Sequence, residues 1–294
     1  MHLAALSIDG LLERDLLRVP CRGLVHSVFE RVVNVATGRD QLLTLAHRGA
    51  DDAPDSVVVD LAAWSGSGLA PGAPVQMDRA QIVIDDCLCI DLLPARPWFG
   101  ALPAYPDDDS ILARNLAFAS GLLARHGRGA AAALACTSPS RLDRALAAVL
   151  HRETRALCEA IAEGDLPRAL EHVGRLIGLG HGLTPSGDDF LVGLLAVLNL
   201  AGGPCHAWRS LGERIAEIAD RQTHLISATA LRQAARGRVR QRLIDLCDAL
   251  QGAGRASVGL TLGLVLEIGS SSGSDLAAGV LAGFELQLGA RVAA

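Results

Sequence analysis

The chain has 294 residues, of which 50% are hydrophobic and 20% charged, and its formal net charge is −5. This length and composition predict a globular protein with two domains and exclude a disordered chain. The negative charge and the absence of a long basic run argue against nucleic acid as the main partner. All 27 basic residues are arginines, which excludes a P-loop lysine, a Schiff-base lysine and a lysine general base. An anionic ligand would have to be held by arginine, backbone N–H groups or helix N-termini.

The cysteines, the N-terminus and the most apolar run indicate a cytoplasmic protein. Seven scattered cysteines without a CxxC pair are typical of small buried thiols in a reducing compartment and suggest no metal site. The N-terminus is acidic rather than basic, which excludes a signal peptide. The apolar run at 190–201 is too short to span a bilayer, so no membrane partner is expected. No motif points to a cofactor, and none is expected.

Two stretches with different hydrophobic periodicity follow one another along the chain. From about 25 to 93, short segments rich in valine, isoleucine and leucine alternate with turn clusters, which predicts an antiparallel sheet or a small barrel. Residues 94–110 contain four prolines and are predicted to be a linker. Beyond this linker, apolar residues recur at helical spacing among good helix formers. The predicted fold is therefore α+β, with a strand-rich antiparallel N-terminal domain at 1–104 and an α-helical bundle domain at 105–294.

The stretch HGLTPSGDDF, residues 181–190, places a polar, glycine-framed turn directly before an apolar run. With Ser186 as the N-cap, Asp189 occupies the position of a capping box. The segment SGDDFLVGLLA at 186–196 aligns without gaps on SGSDLAAGVLA at 272–282. We therefore predict that Ser186 and Ser272 begin equivalent helices whose N-termini lie close together.

The glycines of this repeat have two interpretations. Gly187 and Gly273, just inside each helix start, lack a Cβ and so permit a ligand or another backbone to approach. Gly193 and Gly279, one turn further along, favour close packing between helices. The repeat therefore predicts either a ligand pocket between two helix starts or a pair of structural caps.

The aspartates of the repeat leave the ligand open. Exposed N–H groups at a helix N-terminus favour an anion, but Asp189 and Asp275 already place negative charge there. These carboxylates could instead bind an amide or ammonium N–H, or a divalent cation together with Asp188. Of the adjacent pair, Asp189 is the better predicted cap and Asp188 the better candidate for ligand contact.

Two further segments could contact a ligand, and the first of them is a candidate for the same pocket. Thr223, Ser227, Ala230 and Ala234 fall on one helical face, which suits either close packing or a pocket wall. The arginine-rich run at 236–242 is either a solvated helix end or a contact for an anion. The nearby His181 and His224 are given no catalytic role.

The segments GLGHGLTPSGDDFLVG, THLIS and SSGSD together resemble a bacterial family typified by the third subunit of the oxamate carbamoyltransferase of anaerobic allantoin degradation, a route of purine catabolism. The resemblance covers the whole chain. It implies a transferase that moves a carbamoyl group between carbamoyl phosphate and oxamate, with oxalurate as the carbamoylated species. The implied partners are a small anionic substrate and other subunits of a multi-subunit complex. The alternative is a non-catalytic or small-anion-binding subunit of such an enzyme.

Asp188 is the expected catalytic residue, Asp188 or Asp189 is expected to orient the substrate's amide, and no metal is expected. The expected substrate-binding residues are the polar and glycine positions around the two helix starts and the THLIS segment. They are Gly182, Thr184, Ser186, Gly187, Asp189, Thr223, Ser227, Ser270, Ser272, Gly273 and Asp275.

Overall fold

The computed structural model describes residues 1–15, 18–38, 41–129, 141–252 and 254–293. Their contacts divide the chain into two compact units, Met1–Gly100 and Ala101–Ala294. Cys136, one of the cysteines predicted to be buried, lies outside the described residues. Of the others, Cys205 and Cys247 are buried, whereas Cys87 is exposed, so burial was wrongly predicted for Cys87. Within the described ranges, no helix is both long enough and apolar enough to cross a membrane.

The N-terminal unit is an eight-stranded barrel with one extra strand. The strands are β1 His2–Asp9, β2 Cys21–Val28, β3 Val32–Thr37, β4 Leu42–Ala46, β5 Ser56–Val59, β6 Pro74–Met77, β7 Gln81–Ile84, β8 Leu88–Asp91 and β9 Arg96–Trp98, and a short helix α1, Gly10–Asp15, follows β1. The sheet closes in the order β1–β5–β4–β3–β2–β6–β7–β8 because β1 pairs with both β5 and β8. Apolar residues on alternate positions, as in β6 and β7, fill the interior around Trp64.

The sequence predicted an antiparallel domain, but two strand pairs that close the barrel are parallel. Strand β1 runs parallel to β8, and β4 runs parallel to β5. Neither pair is joined by a tight hairpin, so a turn does not fix the strand direction. Strand β9 lies inside the predicted linker and pairs in parallel with the end of β1. Its three residues are too few to show a strand periodicity in the sequence.

The C-terminal unit is helical. Its helices are α2 Ser110–His126, α3 Arg141–Ala162, α4 Leu166–Leu176, α5 Ser186–Leu198, α6 Leu211–Gln222, α7 Leu225–Ala235, α8 Gln241–Gly252, α9 Arg255–Leu266 and α10 Ser272–Ala293, and a 3-10 turn, His206–Ser210, precedes α6. Helix α5 is buried along its whole length, which its nearly uninterrupted apolar sequence requires. Helix α10 packs along α5.

Candidate functional site

Helices α5 and α10 touch backbone to backbone where they cross. A Cβ atom at Gly193 would lie 2.1 Å from the carbonyl oxygen of Leu276, and one at Gly279 would lie 2.0 Å from that of Phe190. These reciprocal contacts confirm that the two glycines serve close helix packing. The crossing therefore holds the two helices at a separation that a larger residue at either position would disrupt.

The first turns of α5 and α10, the paired helix starts, are built alike. A Cβ at Gly187 would lie 2.0 Å from the carbonyl oxygen of Leu176, at the end of α4. A Cβ at Gly273 would lie 2.0 Å from that of Val265, near the end of α9. Each start thus packs against the end of the preceding long helix. The sequence allowed either a ligand or another backbone to approach Gly187 and Gly273. At both glycines the close neighbour is another backbone.

The predicted capping box is wrong. Pro185 is the N-cap of α5 and Ser186 its first helical residue, and no side-chain cap hydrogen bond occurs there among the described residues. The N–H groups of Gly187, Asp188 and Asp189 donate to carbonyl oxygens of the preceding turn at 2.9, 3.0 and 3.1 Å. These donors are engaged, so this part of the helix start does not offer a row of open N–H groups to an anion.

Asp188 ties three segments of the unit together. It is 1% exposed, and its Oδ1 accepts the N–H of Gly178 at 2.8 Å. Its Oδ2 accepts a hydrogen bond from the hydroxyl of Thr223. Burial raises the pKa of Asp188, while hydrogen bonds from Thr223, Gly178 and Ser227 oppose that rise. Each carboxylate oxygen of Asp188, the residue expected to contact substrate, thus accepts a hydrogen bond from another segment of the same unit.

The segment that contains Thr223 and Ser227 does not form the single helical face that the sequence predicted. The chain breaks between α6 and α7 at Thr223, so Thr223 and Ser227 do not share one helix. Ser227 and Ala234 are buried, but Ala230 is exposed. The hydroxyl of Ser227 donates to the carbonyl oxygen of Leu183 at 3.4 Å. Thr223 and Ser227 therefore converge on Asp188 from a helix break and the helix that follows it.

We expect Asp188→Asn to lower the free energy of unfolding by about 1–2 kcal/mol, because an amide oxygen can replace only one of the two accepting oxygens. Urea unfolding of the variant and the native chain measures the difference. Asp220→Asn is the control, since Asp220 pairs with Arg232 at an exposed site and should change stability little. If the native chain and Asp188→Asn were equally stable, the hydrogen bonds of Asp188 would not stabilise the fold as we expect.

Asp189, one position further, faces the other helix start. It is 8% exposed, and Ser272 hydrogen-bonds its carboxyl group. Its second oxygen, Oδ2, is buried and has no hydrogen-bond partner among the described residues. The hydroxyls of Ser272 and Thr184 lie 2.9 Å apart. Helices do begin at Ser186 and Ser272, and these contacts confirm that their N-termini are adjacent.

Several charges act on Asp189. Burial raises its pKa well above the ordinary value, and the hydrogen bond from Ser272 opposes this. The neighbouring carboxylates of Asp275 and Asp188 raise it further, while Arg240 lowers it. Asp275 is itself 1% exposed. The paired helix starts therefore enclose at least two buried carboxyl groups, with an arginine from the run at 236–242 acting on one of them.

The remaining predicted residues differ in their exposure. Ser186 is buried, whereas Gly182 and Ser270 are exposed in the turns that precede the helices, as are His181 and His224. Sequence reasoning missed Gly178, and it named Arg240 only as part of the run at 236–242 that could contact an anion. Gly178 has a φ of 78°, which glycine adopts readily, and its place in the GLG segment was the available signal. No group of three or more His, Cys, Asp or Glu residues in the described chain is placed to hold a metal ion.

Comparison with known proteins covers both units. No solved structure matches the chain. The family model described as "Oxamate carbamoyltransferase subunit AllH" matches residues 176–284, which include both helix starts and every contact of the centre. The model described as "AllH family N-terminal domain" matches residues 4–97, the barrel. The two matches together span most of the sequence, and the chain belongs to the AllH family of oxamate carbamoyltransferase subunits.

Proposed function

We propose that the chain works as a subunit of a carbamoyltransferase-like enzyme that transfers a carbamoyl group between carbamoyl phosphate and oxamate, or a similar small amide or acid. Other enzyme subunits are then its partners, which the family description supports. The observation that carries a substrate role for this chain is the buried Oδ2 of Asp189, which has no hydrogen-bond partner among the described residues. A buried carboxyl oxygen without a partner is costly unless a ligand supplies one.

In this proposal, Asp189 contacts the amide group of the substrate. Ser272 and Thr184 are the adjacent hydroxyls, and either could donate to a substrate oxygen. Arg240 supplies positive charge near the carboxyl pair. Asp188 takes no part in binding and acts as a positioning residue, because it fixes the turn that carries Asp189.

A non-catalytic role within the complex is the second candidate, and one observation favours it. The repeated glycines meet backbone atoms of the same unit at 2.0–2.1 Å, so much of the duplicated motif is explained by packing alone. In that case the paired helix starts would shape the subunit without touching substrate, and Asp189 would have no ligand.

Ligand-dependent melting separates the two candidates. A ligand at about 100 times its Kd stabilises the folded chain by about 2.7 kcal/mol. We expect oxamate or carbamoyl phosphate to raise the melting temperature of the native chain and of Asp220→Ala, and to leave that of Asp189→Ala unchanged. Equal shifts in all three proteins would remove Asp189 from the site. The absence of any shift, in the chain alone and in the assembled enzyme, would contradict substrate binding by this subunit.

A further inference from the structure

Helix α9 is apolar on its buried face and also on its exposed face. It packs against α2, α8 and α10. Its buried residues are Val258, Leu262 and Val265. On the other face Leu260 is 66% exposed and Leu264 36%, and a Cβ at Gly263 would meet no described atom within 4 Å. A helix that is apolar all round is ordinarily buried, so the exposed face has the composition of a contact surface.

The residues of this exposed face are spaced as in a helix-to-helix seam. Ala256, Leu260, Gly263 and Glu267 are all exposed and follow one another at intervals of four, three and four residues. This is the spacing at which one helix meets another in a coiled coil. Leu260 projects from the face, whereas Gly263 leaves a hollow beside it. A surface that carries both a projection and a matching hollow can pack against a second copy of itself.

The charges at the two ends of α9 indicate the direction of the second copy. Arg255 begins the helix, Glu267 follows its last residue, and no charged residue stands between them. Both are exposed, and Glu267 also lies 3.7 Å from Arg242. An antiparallel copy would bring Arg255 of each chain to Glu267 of the other, whereas a parallel copy would bring like charges together. Antiparallel helix dipoles favour the same orientation.

We propose that the exposed face of α9 is the interface between two copies of this chain. The two α9 helices pack antiparallel, with Leu260 of each copy at Gly263 of the other and Arg255 of each beside Glu267 of the other. The inference concerns assembly and does not depend on a substrate role for Asp189. Because one helix from each copy makes a small contact, we expect a dissociation constant of about 1–100 µM.

The first test is sedimentation velocity of the full chain from about 1 to about 300 µM, a range that brackets this constant. The native chain should pass from monomer to dimer as its concentration rises. Leu260→Glu should raise the dissociation constant by about 100-fold or more, because it buries two unpaired carboxylates in the contact. Leu142→Glu is the matched control, since Leu142 is 63% exposed on α3, and it should dimerise as the native chain does. Unchanged melting of both variants at low concentration would show that each still folds.

A pair of glycine variants tests the hollow itself. Gly263→Ala adds a methyl group where the single chain has space, so it should not lower the stability of the monomer. It should nevertheless weaken the dimer by about tenfold, because Leu260 of the other copy would meet the added carbon. A Cβ at Gly289 would likewise meet no described atom within 4 Å. Gly289→Ala should therefore leave the dissociation constant unchanged.

Charge reversal tests the orientation. Glu267→Arg should weaken the dimer by about 3- to 30-fold at low ionic strength, since it places like charges together at both ends of the contact. Adding Arg255→Glu to the same chain should restore the dissociation constant to within about threefold of the native value. A double variant no tighter than Glu267→Arg alone would overturn the antiparallel pairing.

Three further outcomes would overturn the interface. One is a native chain that stays monomeric at the highest concentration. Another is a native dimer that Leu260→Glu leaves intact, which would place the contact elsewhere on the chain. The third is a monomeric native chain whose assembly with the other enzyme subunits is lost in Leu260→Glu and kept in Leu142→Glu. That result would assign this face to a different subunit and not to a second copy.

Discussion

Gly193→Ala should lower the free energy of unfolding by about 1–3 kcal/mol, although alanine is the better helix former. The added Cβ would lie 2.1 Å from the carbonyl oxygen of Leu276 and 2.9 Å from the backbone nitrogen of Val280. Both are backbone atoms of α10, so neither can rotate aside, and the two helices have to move apart. Gly279→Ala should cost a similar amount, because its Cβ would meet the backbone of Phe190 in the same way.

Helix α10 offers a matched control for this prediction. A Cβ at Gly289, in the same helix, would meet no described atom within 4 Å. Gly289→Ala should therefore leave stability unchanged or raise it by up to about 1 kcal/mol, through helix propensity alone. Urea unfolding of the variants measures the differences in free energy. If Gly193→Ala and Gly289→Ala behave alike, the helices do not touch through their backbones at the crossing.

Asp189→Asn should raise the free energy of unfolding at neutral pH by about 1–3 kcal/mol, an unusual gain for a change at a buried polar site. The folded protein raises the pKa of Asp189, through burial first, above the ordinary value of 3.8. The stability that the neutral carboxyl retains is therefore fully present below pH 3.8. It is lost as the pH rises through the folded value. Asparagine does not titrate, so the advantage of the variant should be small in acid and grow with pH.

Chemical unfolding across a pH series measures that advantage. The neighbouring Asp188→Asn serves as the contrast, because it removes an acceptor that protein donors use and should lose stability instead. Opposite signs for two adjacent and chemically identical substitutions would locate the buried, poorly compensated charge at Asp189. A loss of stability in Asp189→Asn at every pH would show that the native carboxylate is well compensated when ionised.

The repeat in the sequence predicted the architecture of the centre because it encodes local structure. Two equivalent segments with the same glycine spacing form the same helix start, and Gly193 and Gly279 have to face another backbone wherever the helices meet. The adjacency of the two helix starts, seen in the contact between Thr184 and Ser272, follows from that crossing. These features depend on residues that are near one another in the sequence or related by the repeat.

The roles of the two aspartates could not be predicted in the same way. Asp188 is occupied because Gly178 and the break at Thr223 come to it from other segments, and nothing in the SGDD pattern records those partners. The expectation that Asp189 caps the helix assumed Ser186 as the N-cap, whereas the helix begins one residue earlier. Because the helix begins one residue earlier than the sequence predicted, the residue that we propose to contact the ligand is Asp189 and not Asp188.

The pairing of the barrel strands could not be predicted from the sequence for a similar reason. Turn clusters mark where strands end but not which strands pair. Closure depends on β1 meeting both β5 and β8, which lie far along the chain. The parallel pairs follow from this closure. No hairpin turn joins the strands of either pair, so turn residues do not reveal them. A strand of three residues, β9, is shorter than the alternation needed to recognise it.

The most direct test of a substrate role for the paired helix starts is the turnover of the assembled enzyme carrying Asp189→Ala. We predict a fall in kcat/KM of about 10- to 100-fold, the size expected for the loss of one buried hydrogen bond to a charged substrate. The melting temperature of the subunit should not fall at the same time, because the substitution removes a buried carboxyl group that is poorly compensated. Turnover equal to that of the native enzyme, with the same melting behaviour, would show that the substrate does not contact Asp189.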